Sequence, residues 1–114
     1  MKKFSLTLIG ASAVLAFASL APAYGAVDAD AAQALFKKND CSKCHSVDKT
    51  KKGPSLKSIT AKYKGKADGQ ASVIKNITTG PSIKLDDGSQ EVHKVIDTKD
   101  AAALKNIADW ILSQ

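Results

Sequence analysis

A chain of 114 residues with a formal charge of +6 has room for one domain. Its two cysteines stand three positions apart, too close to staple distant segments, which excludes a disulfide-framework fold. Every cation is lysine, with no arginine and no aromatic residues interleaved, and this argues against nucleic acid as a partner.

The chain opens with Lys2 and Lys3, then an uncharged apolar run from Phe4 to Leu20, then the small residues around Ala21-Pro22-Ala23-Tyr24-Gly25-Ala26. That is the layout of a secretory signal peptide. Cleavage after Ala23 or after Gly25 fits equally well, so residues 1–25 read as the signal and 26–114 as the exported domain. An uncleaved anchor is the weaker reading, because the run lies at the short end of the roughly 17 to 25 residues that span a bilayer. No cysteine follows it directly, so a lipid anchor is not expected, nor is stable membrane insertion after processing. Removing Lys2 and Lys3 from +6 leaves the processed chain at +4. A domain of about 90 residues is small for a self-sufficient core, so a bound group is expected to supplement it.

Within the exported part, Asp28 to Lys38 reads as a helix capped by Asp28 or Asp30, with Ala31, Ala34, Leu35 and Lys38 at helical spacing, ended by Asn39-Asp40. Lysines, Gly53 and Pro54 make Lys43 to Ser55 a loop. Leu56 to Tyr63 and Ala71 to Thr78 are short helices, separated by a break from Gly65 to Gly69. Gly80-Pro81 ends the second, and Asp86-Asp87-Gly88 marks a turn in a loop or very short hairpin between Lys84 and His93. The last helix is the clearest: Asp97 as N-cap with Asp100 three residues on, then Ala103, Leu104, Ile107 and Ile111 on one stripe. The expectation is an all-α domain of three to five helices.

The chemistry centres on Cys41-Ser42-Lys43-Cys44-His45, since C-x-x-C-H is the attachment signature of c-type haem. One turn of chain offers two thiols to the two vinyl groups of a porphyrin, and the histidine that follows becomes the proximal iron ligand. Three alternatives are weaker. A zinc site would have to recruit Cys41, Cys44, His45 and His93, with the adjacent Cys44 and His45 in poor geometry. A thioredoxin-like pair requires a helix that begins at the motif, whereas here one ends just before it. A plain disulfide would leave the small core unsupported.

With Phe36 five residues before Cys41, the haem motif, Gly53-Pro54 after it and a last helix ending Trp110-Ile111-Leu112, the chain resembles the class I c-type cytochromes over nearly all of Asp28 to Gln114. The resemblance implies one covalently bound haem c and crossed N- and C-terminal helices with Phe36 and Trp110 at their contact. It also implies that the Pro54 carbonyl accepts a hydrogen bond from His45, fixing the tautomer of that ring. The chain departs from the family at the sixth ligand, because its only methionine is Met1, within the signal. His93 stands in the loop where that methionine is usual and is the expected substitute; the competing reading leaves the iron five-coordinate or bound by Lys94 or Lys84. Leu56, Ile59, Ile77, Leu85 and Leu104 are the expected haem neighbours.

Filled axial positions imply a periplasmic single-electron carrier of low potential, not an enzyme. The alternative is binding or sensing of a diatomic ligand such as nitric oxide or carbon monoxide. A peroxidase would require a distal arginine or a spare histidine, and there is neither. The lysines point to redox proteins with acidic docking surfaces as partners, against a simpler role in solubility. Pairing with a second copy or a related subunit is left open.

Overall fold

The structure, a computed structural model, describes residues 26–114; the expected signal peptide lies outside them. Four α-helices follow in order: α1 (Ala29–Lys38), α2 (Leu56–Tyr63), α3 (Gly69–Thr79) and α4 (Ala101–Ile111). A single 3-10 turn, Cys41–Lys43, follows α1, and strands β1 (Ser82–Lys84) and β2 (Gln90–Val92) form an antiparallel hairpin between α3 and α4. No described helix is long and apolar enough to cross a membrane.

Helix α4 is the centre of the packing, with α1, α2 and α3 all laid against it. Its stripe Leu104, Ile107, Ala108, Ile111 is buried, and Ile107 is fully inaccessible, as is Leu56 of α2. Burying side chains of this size contributes about 1.5–3 kcal/mol each. Phe36 of α1 meets Trp110 of α4 edge to face, with ring centres 5.4 Å apart and 66° between planes. That geometry sets the positive rim of one ring against the negative face of the other. The start of α1 is pinned to the same helix by a reciprocal pair: the Asp28 amide donates to Asn106 Oδ1 at 2.8 Å, and Asn106 Nδ2 donates to the Asp28 carbonyl at 2.9 Å. Asp28 also caps α1 through a 3.0 Å bond from the Ala31 amide to Oδ1.

Four expectations from the sequence are corrected. The buried positions of α1 are Ala32 and Phe36, with Leu35 half-buried, not the Ala31, Ala34, Lys38 stripe; the face is set by the pairing with Trp110. Helix α3 begins at Gly69, two residues early, because this buried glycine lies where a Cβ would stand 3.1 Å from the Tyr63 carbonyl oxygen. The cap of α4 is Asp100, whose Oδ1 accepts from the Ala102 amide at 2.9 Å; the Asp97 amide is instead taken by Asn39 Oδ1 at 2.9 Å, which ties that residue to the end of α1. Leu104 is buried in the helix packing and does not line the cleft described below. The Lys84 to His93 stretch is a hairpin, turning through Gly88 at φ 85°.

Candidate functional site

Between α2, α3, α4 and the hairpin lies a cleft of about 850 Å³. Sites that hold a prosthetic group or small ligand typically measure about 300–1,000 Å³. Its walls are apolar, from Leu56, Ile59, Val73, Ile77, Ile107 and Ile111 on the helices, and Ile83 and Leu85 extend them on the hairpin side. Three of these, Leu56, Ile59 and Ile77, and Leu85 with them, are where the sequence reading put them.

Helix α1 stops where Asn39 Nδ2 bonds the Leu35 carbonyl and Asp40 turns into the left-handed region at φ 57°. This kink starts the 3-10 turn, and the His45 amide closes it on the Cys41 carbonyl at 2.9 Å. Cys41, Cys44 and His45 thereby all face the cleft, and both thiols are free. Burial pushes the Cys41 thiol above its ordinary pKa. A neutral thiol is the form that lies stably against an apolar wall.

His45 is held from behind. Its Nδ1 donates to the Pro54 carbonyl at 2.7 Å, since a carbonyl can only accept. The Nε2 lone pair is therefore left for the cleft. Burial lowers the pKa of His45, outweighing the opposite pull of the Pro54 bond, so the ring is neutral near pH 7. Gly53 makes room for the ring: a Cβ there would lie 2.7 Å from His45 Cε1 and 3.2 Å from the Cys44 carbonyl oxygen. The Gly53 amide also donates to that carbonyl at 2.8 Å, which closes the loop around the imidazole.

His93 stands opposite. It follows β2, with its amide bonded to the Pro81 carbonyl at 2.9 Å, and its Nδ1 donates to the Lys94 carbonyl at 2.8 Å. Its Nε2 is the ring nitrogen that this bond leaves free. The two rings are 6.1 Å apart, centre to centre, with 43° between their planes. The carbonyl of Lys94 as a support for His93 was not read from the sequence, because no motif marks a residue that bonds its neighbour through the main chain. The lysine alternatives for this position are both exposed: Lys94 Nζ is engaged by Asp40 Oδ2 at 3.3 Å, and Lys84 ends β1.

Among the described residues no three His, Cys, Asp or Glu side chains are gathered as a metal centre would require, so the zinc alternative lacks its ligand set. The donor set fits a different group. Two thiols on one turn and two imidazoles at a cleft whose helix-side walls are apolar suit a flat, largely apolar macrocycle that brings its own metal. Such a site belongs to the c-type haem proteins.

The sequence pattern of the cytochrome c family matches residues 29–114. Cytochrome c-552 of Nitrosomonas europaea is 39% identical over 98 residues, covering 86% of this chain and 88% of that protein. Cytochrome c-551 of Stutzerimonas stutzeri is 33% identical over 119 residues, covering 99% of this chain and 98% of its own length. Among solved structures, the class 1 cytochrome MtoD of Sideroxydans lithotrophicus superposes with a TM-score of 0.74 at 52% identity, over 77% of this chain and 97% of that one. The wild-type Nitrosomonas europaea cytochrome c552 structure gives 0.55 at 34% identity, over 71% and 96%. The chain belongs to the cytochrome c family, a haem-based electron carrier with haem c as its cofactor.

Proposed function

We propose that this protein is a periplasmic single-electron carrier, with one haem bound through Cys41 and Cys44 and an iron ligated by His45 and His93. The observation that carries the axial pair is the apposition of the two imidazoles. Two coaxial imidazoles sharing one metal, each with a metal–nitrogen bond of about 2.0–2.1 Å and the nitrogen roughly 1.1 Å from its ring centre, would have centres about 6.2–6.4 Å apart. The observed separation is 6.1 Å.

Bound haem supplies a reversible one-electron change at iron. The chain contributes the setting for it. Pro54 and Lys94 each hold an imidazole in the tautomer that offers Nε2, and Gly53 lets the His45 ring sit close to its loop. The apolar walls exclude water, which keeps reorganisation small. With both axial sides occupied by histidine, no iron position would be left open to a substrate, which supports a carrier and not an enzyme. Imidazole donates better to ferric iron than a thioether does, so the potential is low relative to methionine-ligated relatives. Export through residues 1–25 puts the carrier where haem attachment occurs, and its lysines suit redox proteins with acidic surfaces.

The second reading, binding of a diatomic gas, is favoured by one observation: His93 follows an exposed two-stranded hairpin, not a packed helix. A visible spectrum of the purified protein, oxidised and reduced, with and without carbon monoxide, separates the two. The carrier is expected to be low-spin in both states and slow to take up carbon monoxide. A high-spin ferric spectrum with immediate carbon monoxide binding would establish the open site instead.

A further inference from the structure

The segment that carries His93 is fastened on two sides by different means. Toward α3 and β1 the fastening is main-chain: His93 to Pro81 at 2.9 Å, and the Ile96 amide to the Ile77 carbonyl at 2.8 Å with the Ile96 side chain buried. Toward the segment that bears the cysteines and His45 it includes two side-chain ion pairs. Lys52 pairs with Glu91, two residues before His93, and Lys94, the residue after it, pairs with Asp40 at 3.3 Å. Lys52, Glu91, Asp40 and Lys94 all lie along the lining of the cleft, so each pair spans from the His45 side to the His93 side.

Apart from those main-chain bonds, the hairpin offers little of its own against lifting. β1 and β2 are three residues each, Val92 is 73% exposed, and a two-stranded hairpin is marginal by itself in water. We infer that Lys52–Glu91 and Asp40–Lys94 form an electrostatic clasp that positions His93 against His45 and so sets how readily the sixth position opens to an incoming ligand. The inference rests on His93 being the sixth ligand. Lys52, Glu91, Asp40 and Lys94 act through His93 and are positioning residues. The pairs are solvent-exposed, with about half of each side chain accessible, so the clasp is weak and yields to salt. Each pair is expected to change the opening equilibrium by a few-fold at most, at low salt.

The test uses the reduced holoprotein and carbon monoxide as the probe, with the binding rate followed at the Soret band. Wild type, Glu91→Gln, the charge-swapped Lys52→Glu/Glu91→Lys, and His93→Ala are compared at low and high ionic strength. The clasp requires that Glu91→Gln bind several-fold faster than wild type at low salt, that the swap return toward the wild-type rate, and that salt accelerate wild type more than Glu91→Gln, which keeps only the Asp40–Lys94 pair. Amide hydrogen exchange at His93 and along the β1–β2 ladder should accelerate in Glu91→Gln while α4 stays protected. If wild type is slow and Glu91→Gln is equally slow, the clasp is refuted and the axial assignment stands. If wild type is as fast as His93→Ala, His93 does not hold the iron, and the axial assignment and the clasp both fall.

Discussion

His45 and His93 are 48 positions apart in the chain, yet their rings stand 6.1 Å apart across the cleft, each with Nδ1 donated to a main-chain carbonyl. The two supports differ in kind. Pro54 belongs to a loop closed by Gly53, whereas Lys94 is the immediate neighbour of His93 on an exposed segment. The His45 side is therefore the more rigid of the two, and changes at the site should be felt first at His93.

Replacing His93 by Met should raise the midpoint potential, because a thioether favours ferrous iron more than imidazole does. A shift on the order of 0.1–0.3 V is expected, within the span of about 0.8 V over which axial ligands tune haem. Potentiometric titration measures it, and His93→Ala should give a high-spin ferric spectrum. An unchanged spectrum in His93→Ala would remove His93 from the iron.

Cys41→Ala or Cys44→Ala should weaken covalent attachment, and the double substitution should abolish it. Acid–acetone extraction should leave the pigment on the wild-type chain, and its mass should be that of the processed chain plus one haem. A wild type that releases all its pigment would contradict the two thioether bonds.

Gly53→Ala introduces a methyl group 2.7 Å from His45 Cε1, with the Cys44 carbonyl oxygen at 3.2 Å on another side. The ring and loop must move, at a cost of about 1–3 kcal/mol. Both the denaturation midpoint and the haem potential should shift, since the same displacement disturbs the bond to Pro54. A neutral outcome in both would mean that the loop moves freely around His45.

Phe36→Ala removes one ring of the edge-to-face pair with Trp110 and should destabilise the protein by about 3–5 kcal/mol. Asn106→Ala breaks both bonds to Asp28 at the other end of the same contact and should cost less, about 1 kcal/mol. Thermal unfolding of the two variants tests the ranking, and equal effects would show that α1 is not held chiefly by its aromatic contact.

Reduction by an acidic redox partner should slow as ionic strength rises from 0.01 M to 0.1 M, where the Debye length falls from about 30 Å to about 10 Å. Stopped-flow rates at several salt concentrations test this. Indifference to salt would assign the lysines to solubility alone.

What the residues announce by themselves is local. Helix α2 occupies Leu56–Tyr63 as its pattern predicts, the Cys41 to His45 spacing names the cofactor, and the Phe36 and Trp110 positions mark a contact between the first and last helices. Each of these depends on neighbours a few positions away or on a motif with one chemical use. Where a face or a cap depends on what packs against it, the pattern misleads. Asp97 looks like a helix cap until Asn39 takes its amide, and Leu104 shares a stripe with Ile107 yet turns toward the helix packing, away from the cleft. Periodicity gives the side of a helix that is buried but not the neighbour that buries it. The apposition of His45 and His93, the Lys94 carbonyl behind His93 and the ion pairs of Lys52 and Lys94 join segments far apart in the chain, so only the folded arrangement decides them.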